Sequence, residues 1–263
     1  MTLGESQEGI SKSRELTFLF FFAIMPVRKG RCGMKRDALG IGNVLLMIGA
    51  MVCLVCYDVF GGLWLKGVTS LWFVILGGVN IWAARKLPRR ERRFFLLIGA
   101  GLFFGMCADV LLGPVFFAGI GAFALGHVLY LCAFYALEKP RRQDLWFFLP
   151  LAAASMFVVA GTPWITIEDA LLKKLLLGYA VIIAAMVGKA LSNLLARPGR
   201  ARALMALGSV MFWFSDLVLA VDMFGQSSRL TWILCSYVYW PAQSILAHSL
   251  YHRLREAQKE EEA

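Results

Sequence analysis

At 263 residues, with 59% hydrophobic content and a mean hydropathy of +0.68, the chain is too apolar for an ordinary soluble domain. Its net charge of +10 would suggest nucleic acid as a partner in a soluble protein, but here the basic residues fall between apolar runs of membrane-spanning length, so no nucleic-acid role is expected. Of the six cysteines most lie inside those runs; Cys53 and Cys56 have redox spacing but no proline, histidine or charge beside them, and read as small buried hydrophobes.

Residues 1–38 read as an N-terminal extension, interfacial or partly disordered. Within it Leu16 to Val27 is apolar but covers only about a dozen residues, short of the roughly 20 a crossing helix needs. Arg28, Lys29, Arg31, Lys35 and Arg36 follow it, where a signal peptide would carry a small-residue cleavage site. Met34 offers an alternative start that would leave the segment without a role. Eight spans are then predicted, at 39–57, 66–84, 94–112, 115–137, 145–161, 171–194, 203–221 and 230–250. They make 39–252 an all-α, polytopic membrane bundle of eight transmembrane helices, followed by a charged cytoplasmic tail, 253–263.

The charges test this count. Basic clusters lie before the first span, at Arg85 to Arg93, Lys139 to Arg142 and Arg197 to Arg202, and in the tail from Arg253 to Lys259. With eight crossings all of these fall on one side, and together they hold 20 of the 27 Lys and Arg residues. The other side keeps Lys66, Lys173, Lys174 and Arg229. By the positive-inside rule both termini are cytoplasmic, and the basic balance reports topology. Lys189, near the cytoplasmic end of the sixth span, is expected to snorkel to the interface.

Gly99 to Tyr135 reads as a helical hairpin turned by Gly113-Pro114, with Asp109 near the end of one run and His127 within the next. An acid inside a membrane helix is costly and by default marks a function. Gly101, Gly105 and Asp109 are spaced by four, which puts the carboxyl on a stripe of glycines that admits a close neighbouring helix. The acid is therefore predicted to face inward. Gly208 precedes Asp216 by eight residues, as Gly101 precedes Asp109. Two such acids at matched depth predict a paired-carboxylate site, a proton donor beside an acceptor. The bland alternative is a pair of structural acids, each hydrogen-bonded to a neighbouring helix.

Other polar positions carry two readings each. His127 and Tyr130 share a helix face and read either as site residues or as interhelical hydrogen-bond partners. Ser236, Tyr239, Gln243 and Ala247 form one face of the last span, for packing or for ligand contact. Lys66 heads a face with Thr69, Phe73 and Asn80 near the outer boundary, as an interface anchor or a grip on a lipid phosphate. His248 and His252, spaced by four, read as interfacial rather than as a metal pair.

GLFFGMCADVLL followed by FFAGIGAFALGHVLY resembles the hairpin of the lysoplasmalogenase (YhhN-type) family of membrane hydrolases. ALGSVMFWFSDLVLA resembles its Ser-Asp segment and YVYWPAQSILAHSL its final Tyr/Gln helix. LKGVTSLWFVIL is similar to its early Lys segment, with Gly67 where proline is expected. The resemblance runs from Lys66 to His252. It implies an enzyme of the bilayer, in the cytoplasmic membrane of a bacterium, that hydrolyses the vinyl ether bond of a lysophospholipid without metal or organic cofactor. It implies Asp109 and Asp216 as catalytic acids, with Lys66, His127, Tyr130, Ser215, Tyr239 and Gln243 as substrate-binding residues. The rival readings are a proton-coupled transporter, which also uses intramembrane acids, and a lipid hydrolase acting on another bond.

Overall fold

The computed structural model describes residues 38–262, so residues 1–37 of the N-terminal extension, with its short apolar run, lie outside the described residues, and Ala38 already belongs to the first helix. Eight helices make up the described chain: α1 (Ala38–Phe60), α2 (Leu63–Ala83), α3 (Arg89–Leu111), α4 (Phe116–Leu137), α5 (Arg142–Met156), α6 (Ala170–Ala196), α7 (Arg200–Phe224) and α8 (Arg229–Glu262). No strand occurs among the described residues. Helices α1 to α7 are long and apolar enough to cross a membrane, α5 with the aid of the π-helical turn Phe157–Gly161. The protein is an integral membrane protein, and each predicted span has its helix.

Local chemistry sets the breaks. Gly61 and Gly62 turn α1 into α2 at φ 67° and 93°, backbone that only glycine adopts without strain. Pro88 opens α3, where a missing N–H costs nothing. Gly113-Pro114 lies in the turn that separates α3 from α4, where proline has no N–H to donate and glycine weakens the helix. Asp169 caps α6, its Oδ1 accepting from the backbone N–H of Leu171 at 2.7 Å.

Order in space differs from order in sequence. Helices α2, α3, α4, α6, α7 and α8 form a closed cycle of neighbours, and α8 also touches α3. Helix α5 packs on α6, outside this cycle. Helix α1 meets α2 and α8 through side chains: Asn43 and Asn80 exchange hydrogen bonds of 3.1 and 2.8 Å, and His248 Nδ1 lies 3.2 Å from Asn43 Oδ1.

Helix α8 is the least apolar of the eight, and its surroundings explain why. Residues 242–250 are buried without a break, Gln243, Ser244 and Ser249 among them. A helix enclosed by protein can carry polar groups that a lipid-facing helix cannot. The helix then continues unbroken through the charged tail, where Arg253 pairs with Glu91 at 2.8 Å and with Glu260 at 3.1 Å.

The basic turns gather at one end of the bundle. Arg253 of α8 meets Glu91 of α3, and Glu138 at the end of α4 meets Arg202 at 3.2 Å and Arg197 at 3.4 Å. At the opposite end Asp58 of α1 pairs with Arg229 of α8 at 2.5 Å, and the Thr166 N–H donates to the Phe224 carbonyl at 3.0 Å.

Two residues expected at the interface lie inside. Lys189 is 1% exposed and does not snorkel. Its ammonium sits 3.1 Å from Asp144 Oδ2 and donates to the Lys139 carbonyl at 2.9 Å. The α5–α6 hairpin brings Asp144 to it, while that same carboxylate accepts from the Arg141 N–H and so starts α5. His248 is buried against Asn43, because α1 covers that side of α8.

Candidate active site

Asp109 is 3% exposed and faces the cycle's interior, as its glycine stripe predicts. A Cβ on Gly105 would come within 2.6 Å of Gln243 Nε2, and one on Gly101 would strike the Tyr130 ring, so both glycines are points of close approach. Ser70 of α2 donates to Asp109 Oδ2 at 2.5 Å and Tyr239 of α8 donates to the same oxygen at 2.8 Å. Each donor is itself held. Trp240 Nε1 donates to Ser70 Oγ at 3.2 Å; Gln243 Nε2 donates to Tyr239 Oη at 3.3 Å, and Tyr130 donates to Gln243 Oε1 at 2.7 Å. The result is a directed chain from Tyr130 through Gln243 and Tyr239 to Asp109.

Asp216 has other company. Tyr179 of α6 donates to its Oδ2 through a short hydrogen bond. His127 Nε2 lies 2.8 Å from Tyr179 Oη and 3.4 Å from Asp216 Oδ2, while its Nδ1 faces Met186 Sδ at 3.4 Å. The Phe212 ring bridges the two clusters, with centroids 4.5 Å from His127 and 5.1 Å from Tyr239.

Both carboxylates line one polar cavity of about 100 Å³, with Lys66 of α2 also on its wall. A second, apolar cavity of about 70 Å³ lies among α3, α4, α5, α6 and α7. Asp216, Leu112, Phe123 and Leu219 line both, whereas Asp109 lines only the polar one. Asp216 therefore stands where the two cavities adjoin.

A family model described as the YhhN family matches residues 65–250. The chain belongs to the YhhN family. No curated protein and no solved structure matches it. The YhhN match starts one residue before Lys66 and contains both carboxylates and every hydrogen-bonding partner named around them. Helix α1 lies before it, and the charged end of α8 after it.

Within this YhhN chain the candidate residues divide. Lys66, Asp109, Asp216 and Tyr239 come together on the polar cavity. Tyr130 and Gln243 stand behind Tyr239, and His127 behind Asp216. Ser215 does not join them: its hydroxyl donates to the Phe212 carbonyl at 2.7 Å, within its own helix. The residue next to an inward acid on a helix points about 100° away from it, and Ser215 satisfies itself there. Reasoning from sequence missed Tyr179 and Ser70. A lone tyrosine in LLLGYAVIIAAM was the available signal for the first, whereas Ser70 looks like any small residue of a packed membrane helix.

Proposed function

We propose that this protein is a lysoplasmalogenase, hydrolysing the vinyl ether of an alkenyl lysophospholipid to a fatty aldehyde and a glycerophospho head group. One observation carries the reading: Asp216 sits where a polar cavity with a second carboxylate and a lysine adjoins an apolar one. A vinyl ether occupies that same boundary in its lipid, joining a polar glycerol to an alkenyl chain.

The positions support the following chemistry. Asp216, bordering the apolar cavity, protonates the alkenyl carbon remote from the ether oxygen, leaving an oxocarbenium ion at the carbon bound to that oxygen. Asp109, on the polar side, takes a proton from the water that attacks this cation and opposes its charge. The hemiacetal so formed collapses to the aldehyde and the free glycerol hydroxyl; one water is consumed, and the cycle closes when Asp109 gives up the proton it took and Asp216 regains one. Tyr179 and His127 stand behind Asp216 as its route for reprotonation. The chain from Tyr130 to Tyr239, with Ser70, fixes Asp109. Lys66 binds the phosphate.

We also propose that α8 crosses the membrane as an eighth span, with both termini cytoplasmic, in the cytoplasmic membrane of a bacterium. The gathering of the basic turns at one end supports this orientation.

The test is purified protein in detergent with a lysoplasmalogen, followed by aldehyde detection. Aldehyde release that requires both aspartates is the expected result. Release of fatty acid instead would mean another bond is cut. No turnover in detergent, but substrate-driven proton flux in vesicles, would mean a carrier.

A further inference from the structure

The apolar cavity beside Asp216 is too small for a whole lipid chain. Its volume is about 70 Å³, less than half the ~150 Å³ of an apolar cavity that admits benzene. An alkyl chain that reaches the middle of a bilayer spans about 15 Å, half the hydrocarbon core. Most of such a chain must therefore lie beyond the cavity, and one of the walls must let it out.

Most of the walls are fixed. Helices α3, α4, α6 and α7 belong to the closed cycle. Past the end of α7 the way is shut: the Thr166 N–H donates to the Phe224 carbonyl at 3.0 Å, and a Cβ on Gly225 would come within 2.3 Å of the Trp164 carbonyl oxygen. The remaining wall is α5 with its π-helical turn, which reach the cavity through Ser155 and Val159. Helix α5 packs on α6 outside the cycle and leaves Trp146, Leu149 and Phe157 exposed.

Three features weaken that wall. Pro150 cannot donate to the Trp146 carbonyl. Ser155 Oγ donates back to the Leu151 carbonyl at 2.8 Å, an arrangement that bends helices. Phe157–Gly161 winds as a π-helix, a wide turn that recurs at functional sites. Opposite, the indole N–H of Trp213 on α7 donates to Ser155 Oγ at 2.8 Å. Among the described residues it is the one side-chain hydrogen bond between α5 and α7.

We infer that the seam between α5 and α7 is where the substrate's alkyl chain passes from the cavity into the bilayer, with the Trp213–Ser155 hydrogen bond as its latch. The latch is closed in the free protein and opens when a long chain lies in the seam. A chain short enough to stay inside the cavity leaves it closed. The inference rests on the lysolipid reading of the site given above.

Binding tests it without catalysis. The full chain in a neutral detergent is titrated calorimetrically with two saturated alkyl-ether lysophosphocholines, hexadecyl and butyl, neither of which has a vinyl ether to cleave. Ser155→Ala and Trp213→Phe each remove the latch, and a melting curve establishes that each is folded. Both variants should bind the hexadecyl lipid about fivefold tighter than the wild type does, the factor for one neutral hydrogen bond that no longer has to break. Their affinity for the butyl lipid should stay within about twofold. A change shared by both chain lengths, or none, would overturn the latch and leave Trp213 and Ser155 as a packing contact. The exit itself is mapped with the hexadecyl lipid carrying a diazirine at its last carbon. After illumination, the label that unlabelled lipid competes away should fall on residues 152–160. Competable label at the α3–α4 turn or at 164–166, or no competable label, would overturn the passage. A protein that shows the chain-length effect and the label yet releases no aldehyde from lysoplasmalogen would keep the seam and lose the proposed reaction. Cleavage without them would do the reverse.

Discussion

Asp109 stands between α2 and α8, held on one oxygen by Ser70 and Tyr239, with Trp240 and Gln243 holding those donors. Asp216 looks toward α4 and α6, where, among the described residues, Tyr179 is the one side-chain donor to it and His127 waits behind. In sequence the two acids are near copies, each eight residues after a glycine. The glycines do related work on different partners. Gly101 makes room for the Tyr130 ring, whereas a Cβ on Gly208 would meet Leu246 Cγ at 2.8 Å and the Ala242 carbonyl at 3.0 Å. The shared spacing therefore encodes close helix approach, and the approaching helix supplies the chemistry. One acid is braced from two sides, and the other is linked through one phenol to a histidine.

The largest effect should come from removing either charge. Asp109→Asn and Asp216→Asn should each lower kcat for aldehyde release at least about a hundredfold while the protein stays folded. The double variant should be little worse than the worse single, because groups acting on one event are not additive. A folded, fully active single variant would return that acid to a packing role and end the comparison.

Loss of one phenol should then separate the two sites. Tyr179→Phe removes the only side-chain donor found on Asp216 among the described residues, the phenol that also meets His127; kcat should fall about tenfold. Tyr239→Phe leaves Ser70 on Asp109 and should cost less, about threefold, for one of two braces. Equal losses would mean that the two carboxylates are supported alike.

Lys66→Met should raise KM for the lysolipid several-fold and change kcat less, since the phosphate is remote from the bond that breaks. An unchanged KM would make Lys66 an interface anchor. The smallest change in turnover should follow Lys189→Met, at the far end of the bundle. It leaves Asp144 buried without its ion partner, at a cost of about 3 kcal/mol read as a lower Tm in detergent, and turnover per folded molecule should hold.

Much of this protein is determined by its sequence alone. Seven of the eight helices, α1 to α7, follow from apolar runs of crossing length, and breaks between them from Gly61-Gly62, Pro88 and Gly113-Pro114, because lipid admits no unpaired backbone and proline and glycine punctuate helices locally. The inward aim of Asp109 is also legible, since helical spacing sets a face and a buried acid needs polar company, and Asp216 lines the same cavity. Tertiary structure decided the rest. Ser70 and Tyr179 lie 39 and 37 residues from the carboxylates they serve, and no local pattern announces which small or aromatic residue of one helix will face another. Lys189 and His248 have interfacial positions in sequence but buried ones in the fold, because Asp144 and Asn43 arrive from other helices to pair with them. Ser215, beside an acid in sequence, faces its own backbone. The helical period fixes which way a residue points within its own helix, and only packing determines what stands opposite it.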